Sequence, residues 1–121
     1  MINVCGIFGV VSFVQPFLEE EVRRFDDALD LVRYRGPDNK GYFLSDDKRV
    51  FLGHRRLSII DLLPEGNQPL FQDGLVIVYN GEIFNYLELK RELEKNGAVF
   101  RTDTDTEVIL KVYEKYGTRG F

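Results

Sequence analysis

Tryptophan is absent from this chain, and methionine, cysteine and histidine occur once each, as Met1, Cys5 and His54. A single thiol cannot close an internal disulfide, and one thiol with one imidazole gives no cluster of zinc-binding spacing. A reducing, intracellular setting is therefore expected. No apolar run approaches the roughly 20 residues that cross a bilayer, and the first residues have neither the basic start nor the apolar stretch of a signal peptide. The cytoplasm is the expected location. Charge of one sign is also scarce: 16 basic side chains face 20 acidic ones, for a net charge of −4. They form no run that would mark a nucleic-acid or membrane surface, so neither is expected as a partner and a small molecule is. No repeat, low-complexity tract or linker divides the chain.

What is abundant is apolar and aromatic material. The 44% hydrophobic fraction includes 10 Phe and 6 Tyr among 121 residues, enough for one real core. Residues 6–13, GIFGVVSF, are apolar and β-branched between turn-prone ends, which predicts a strand buried on both faces, closed off by Pro16 and with Cys5 at its upstream end. From residue 18 to 34 the period changes to that of a helix. Val22, Phe25, Leu29 and Val32 form one apolar face, Glu19, Glu20 and Glu21 load the first turn, and Gly36-Pro37 ends the segment. Two β-rich runs around Asp46, Asp47 and Lys48 predict one hairpin, and Asp73-Gly74 predicts a second. Asn85 with Glu88, and Thr104 with Glu107, look like caps opening two further helices. The first of these would bury Tyr86, Leu89 and Leu93, and the second Val108, Ile109, Val112 and Tyr116, with Gly97 and Gly117 as stops. Strands and helices interleave without regular βαβ alternation, so an antiparallel α+β fold is expected. The ending "GTRGF" has no closing element, which raises the expectation of further chain downstream.

The chemistry lies in the loops. In "YNGEIFNY" the Asn80 amide and the unshielded Gly81 N–H would make a two-donor cradle for an oxyanion; the plainer reading is an Asn-Gly turn. In "GHRRLSI" strand alternation sends Arg55 and Arg56 to opposite faces, so one of them can enter a cleft and grip a carboxylate. In "TDTDTEVIL" either Asp103 or Asp105 could receive an ammonium group, although helix capping accounts for one of them. An α-amino acid with a side-chain carbonyl satisfies all three groups. The nucleophile would be Cys5. His54 is poorly placed as its base, beside the arginines, but a cysteine that is the first residue of a mature chain can use its own α-amine, whose pKa is about 7.7–8.0.

Taken together, "CGIFG" from Cys5, "RYRGPDNKG" at 33–41, "GHRRLSIIDL" at 53–62, Gln68-Pro69, "YNGEIFNY" at 79–86 and "TDTDTEVIL" at 102–110 resemble the glutaminase domain of class II glutamine amidotransferases. "RGPD", "RLSIIDL" and "NGEIFN" are most similar to its glutamine-dependent asparagine synthetase branch. The resemblance implies an N-terminal-nucleophile fold, a four-layer sandwich of two antiparallel sheets between helical layers, that hydrolyses glutamine to glutamate and ammonia. It implies Cys5 as nucleophile with its α-amine as base, Asn80 and Gly81 as oxyanion hole, Arg56 on the glutamine carboxylate and Asp105 on its ammonium. Glu82 and the backbone of residues 57–59, Leu57 and Ile59 included, would line the pocket. No cofactor is implied for the glutaminase half; ATP and magnesium belong to an ammonia-accepting synthetase domain that this chain lacks, and a homodimer is an open expectation.

Two departures from the pattern stand out. The family's nucleophile is residue one after removal of the initiator Met, whereas residues 1–4 precede Cys5 here, and a Cys5 acylated by Val4 has no basic amine. The expected repair is a start placed too early, since Val4 can be encoded by GUG, with processing of a short pro-segment or loss of activity as alternatives. Residues 5–121 would then be the N-terminal part of an amidotransferase domain that is truncated before its last strands. A noncatalytic binding or partner module is the competing reading if Cys5 stays blocked, and a cysteine-protease-like hydrolase would need His54 as base.

Overall fold

The computed structural model describes residues 5–58 and 64–121. Within them the chain runs β1 (Gly6–Val11), α1 (Glu19–Leu31), β2 (Asn39–Leu44), β3 (Val50–Arg56), a 3-10 turn at Pro64–Gly66, β4 (Leu70–Gln72), β5 (Leu75–Ile77), α2 (Tyr86–Lys95), α3 (Asp105–Tyr116) and a 3-10 turn at Gly117–Gly120. Two antiparallel sheets result, one ordered β1-β3-β2 and one made of β4 and β5. The fold is α+β, as the sequence pattern indicates.

Local chemistry explains the hairpins. Asp73 and Gly74 both take positive φ, 51° and 80°, the two left-handed positions of the tight turn whose twist suits a hairpin. Register then follows, with Leu70 opposite Ile77 and Gln72 opposite Leu75. Between β2 and β3, Asp47 accepts hydrogen bonds from the Ser45 hydroxyl and the Arg49 N–H at 2.6 and 3.1 Å. That holds the turn and sets Leu44 opposite Phe51.

One face of the three-stranded sheet is covered by α1. Leu29 and Phe51 are fully buried there with Phe17, and Phe8, Val10, Val22, Phe25 and Leu44 close around them. The Phe25 ring stands 5.0 Å from Phe17 and 5.4 Å from Phe51, between centroids. The opposite face meets the β4–β5 pair on its β2 side, where Phe43 stacks on Phe71 at 5.9 Å. This corrects the expectation for β1. Its residues alternate instead of being buried on both faces, and Ile7 and Val11 are each 52% exposed. The second sheet reaches β2 and leaves the same face of β1 open.

Three further expectations need adjustment. Helix α1 stops at Leu31, five residues before Gly36, and the chain continues in tight turns with Arg35 N–H bonded to Val32 O at 3.0 Å. These turns bring Gly36 against the end of β3, so close that a Cβ there would stand 2.3 Å from the Arg55 carbonyl. Asn85 makes no side-chain cap on α2: at φ −98° and ψ 24° it is already wound toward the helix, not extended as a capping residue is. Tyr116 is 46% exposed, because a twelve-residue helix outruns the two three-residue strands that it covers. By contrast, the Thr104 hydroxyl does accept the Glu107 N–H at 3.3 Å.

Candidate active site

The strand order brings the start of β1 beside the end of β3. Gly6 pairs with Arg55, so Cys5 lies level with the residues that follow, and the Leu57 N–H points at Cys5 Sγ from 3.5 Å. Arg35 reaches in from the turn after α1 and donates through Nε to the Cys5 carbonyl at 3.2 Å. From the far side, Asn80 follows β5, and its Oδ1 accepts the Cys5 N–H at 3.2 Å. Seventy-five positions of sequence close here on one hydrogen bond. With Oδ1 directed at Cys5, the Asn80 amide presents its Nδ2 hydrogens elsewhere.

These groups open onto a cavity of about 340 Å³. Cys5, Arg56, Leu57, Asn80, Gly81, Glu82 and Asp105 all line it; Ile59 lies outside the described residues. Position separates the two arginines, whereas Asp103 and Asp105 both line the cavity. Arg55 points to the α1 side, 3.6 Å from Asp30. Arg56 takes the cavity side, 93% buried, with Nη1 donating to Asn67 Oδ1 at 2.8 Å. Asp103 is held at 2.7 Å by Lys90. Asp105 opens α3 and spends one oxygen on the Ile83 N–H, at 3.0 Å, which fixes its carboxylate at the rim shared with Glu82.

Charge of both signs lines the cavity, positive at Arg56 and negative at Glu82, Asp103 and Asp105. Burial raises the Tyr79 phenol above its usual range, and the charges of Asp105 and Glu82 push it further the same way. His54 is buried completely. That burial lowers its pKa to about 4, against a weaker opposing hydrogen bond to the Tyr79 carbonyl and with help from the Arg56 charge. A ring so hard to protonate is a weak base, and its Nε2 is already engaged with Tyr79 O at 3.2 Å. Among the described residues no three His, Cys, Asp or Glu side chains converge to hold a metal ion.

Sequence reasoning gave Gln68 and Thr106 no individual role, although both line the cavity. Gln68 Oε1 accepts the Tyr79 N–H at 2.5 Å, and its Nε2 donates to Thr106 Oγ1 at 3.3 Å. No spacing rule could have found them, since each acts on backbone or side chains that only the fold makes neighbours.

Residues 4–121 match the glutamine amidotransferase domain family. Among curated relatives, a putative glutamine-hydrolysing asparagine synthetase 2 of Methanocaldococcus jannaschii is 41% identical over 132 residues, covering 94% of this chain and 24% of that protein. Glutamine-hydrolysing asparagine synthetase 1 of Bacillus subtilis is 44% identical, over 93% of this chain and 18% of its own length. The amidase chry2 of Gibberella zeae is 42% identical, over 94% and 18%. The chain thus spans about a fifth to a quarter of the length of these relatives.

Proposed function

Because this chain belongs to the glutamine amidotransferase domain family, we propose that its cavity binds glutamine and that Cys5 hydrolyses the side-chain amide to glutamate and ammonia. The observation that carries the reading is the contact between Cys5 N and Asn80 Oδ1. It supports the reading because the Asn80 amide meets the nitrogen of the residue that carries the thiol.

A cavity lined by charge of both signs suits a zwitterion. Arg56 receives the glutamine α-carboxylate as a guanidinium fork, and Asp105, with Glu82 on the same rim, receives the α-ammonium. The carboxamide then extends toward Cys5. The working enzyme begins at Cys5, residues 1–4 being absent from it, because the reaction needs a free amine with a lone pair. That amine takes the thiol proton, and Sγ attacks the carboxamide carbon. The Asn80 Nδ2 and Gly81 N–H stabilise the oxyanion, and the amine passes its proton to the departing nitrogen, which leaves as ammonia. A thioester remains. Water, deprotonated by the same amine, hydrolyses it to glutamate and restores the thiol.

By analogy with the relatives, the ammonia goes to an asparagine-synthetase-type domain that uses ATP and magnesium, and the four-layer N-terminal-nucleophile sandwich is the architecture in which this site operates. The contact of the two sheets at Phe43 and Phe71, with α1 and α3 on their outer sides, is consistent with that arrangement. The test is ammonia release from glutamine by a chain whose first residue is Cys5, beside its Cys5→Ser variant. Release by the first alone is expected. Equal release from both overturns the catalytic role, and glutamine binding without release from either leaves a binding module.

A further inference from the structure

Tyr79, the residue before the oxyanion pair, lies beyond the last ladder position of β5, whose Ile77 pairs with Leu70. Two side chains from distant segments hold its backbone instead. Gln68 Oε1 accepts the Tyr79 N–H at 2.5 Å, and His54 Nε2 lies 3.2 Å from the Tyr79 carbonyl, to which it can only donate. Gln68 then continues through its Nε2 to Thr106 Oγ1 at 3.3 Å, in the first turn of α3, next to Asp105.

We propose that His54 and Gln68 are positioning residues for the oxyanion pair Asn80 and Gly81, acting through the two backbone groups of Tyr79, and that Gln68 also ties this pair to the α3 turn that bears Asp105. The proposal rests on the glutaminase reading above and adds to it a mechanical link between the amide-binding and ammonium-binding ends of the cavity. Its physical basis is geometric. An oxyanion donor contributes only if it is already aimed where the charge develops, and Asn80 follows Tyr79 directly, so rotation of that peptide swings the Asn80 side chain. The Tyr79 carbonyl fixes the His54 tautomer, leaving Nε2 protonated and Nδ1 as an acceptor without a partner among the described residues. Burial keeps the ring neutral down to about pH 4, so the donor to Tyr79 O is unchanged throughout the neutral range. The buried His54 ring is thereby assigned a role other than general base.

The experiment uses the full active enzyme with His54→Leu, His54→Gln, Gln68→Leu and Gln68→Glu. Both leucine variants should lose up to about 100- to 1,000-fold in kcat, the cost of removing an oxyanion donor outright, with KM for glutamine nearly unchanged. His54→Gln, which restores a donor, and Gln68→Glu, which keeps an acceptor for Tyr79 N–H, should recover most of the kcat. A rise in KM at constant kcat, or no change in either, overturns the proposal. Two readouts do not depend on turnover. The Tyr79 amide should exchange slowly in the unaltered enzyme and faster in Gln68→Leu, and the ¹⁵N shifts of His54 should report a protonated Nε2. Exchange of the Tyr79 amide at the rate of an open loop, or an Nδ1-protonated ring, refutes the clamp even if a leucine variant fails to fold. Absence of ammonia release by the unaltered enzyme would instead refute the glutaminase reading and leave these two readouts to decide the clamp.

Discussion

Acid should weaken this fold before its carboxylates titrate, and His54 is the cause. Its ring is wholly buried in β3, and burial lowers its pKa from 6.5 to about 4. An unfolded chain protonates the imidazole near pH 6.5, whereas the folded chain resists until about pH 4. Between those values the unfolded state binds more protons, so this contribution is complete above the unfolded value and is lost as pH falls toward the folded one. At about 1.4 kcal/mol per pH unit, the interval amounts to roughly 3 kcal/mol, a large part of a typical domain's stability. Asp30, Asp47, Asp73, Asp103 and Glu107 are all held below their ordinary values. Their contributions are lost only as pH drops below the normal carboxylate range, which separates the two windows. Urea unfolding followed by circular dichroism should show stability rising by about 1 kcal/mol per pH unit between about pH 5 and 6. The His54→Gln chain should give a nearly flat line there, whatever its absolute stability. Parallel slopes for the two would refute the reasoning, because the proton uptake would then come from elsewhere.

Gly36→Ala should destabilise the fold by about 1–3 kcal/mol or more, since the new Cβ would stand 2.3 Å from the Arg55 carbonyl and 2.7 Å from Arg56 N, both backbone; an unchanged melting temperature would contradict this. Glu107 is fully buried, and its carboxylate accepts from Arg101 N–H, Thr102 N–H and the Thr102 hydroxyl at 2.8, 2.6 and 2.6 Å. Glu107→Gln replaces one acceptor oxygen by a donor and should cost about 1–3 kcal/mol, read by urea unfolding, with faster amide exchange at Arg101 and Thr102. Asp105→Asn removes the charge assigned to the substrate ammonium. It should raise KM for glutamine by roughly 10- to 100-fold, the worth of a hydrogen bond to a charged group, while kcat changes less.

How much of this was legible in sequence follows from the range of each interaction. The Asp73-Gly74 turn and the Thr104 cap depend on dihedrals and atoms within four residues, and both are where the pattern puts them. Alternation correctly sends Arg55 and Arg56 apart, yet which one meets the cavity depends on which face of the sheet α1 covers, and it covers the face of Phe51 and Arg55. The exposed face of β1 was illegible for a similar reason: an apolar run reports that a strand can be covered, not what lies over it. Gln68 and His54 are the extreme case. Their targets are the backbone groups of Tyr79, 11 and 25 positions away, and any residue at position 79 would offer the same amide, so no side-chain pattern marks the contact.

The Cys5–Asn80 contact separates binding from catalysis in a way that can be measured. An N–H of Cys5 donates to Asn80 Oδ1 whether the nitrogen is an amide or an amine, so the hydrogen bond and the cavity around it survive in a chain that retains Val4. What changes is the lone pair. In the amide it is delocalised into the carbonyl and accepts no proton; in the amine it is available near neutral pH. Arg56 and Asp105 stand apart from that bond. A chain with the Val4–Cys5 bond intact should therefore bind glutamine by calorimetry about as well as one beginning at Cys5, yet release no ammonia. Removing residues 1–4 should restore release without tightening binding. Ammonia release at the same rate from a chain whose Val4–Cys5 peptide is shown intact by mass spectrometry would refute the amine as base, and His54 or a water would have to take its place.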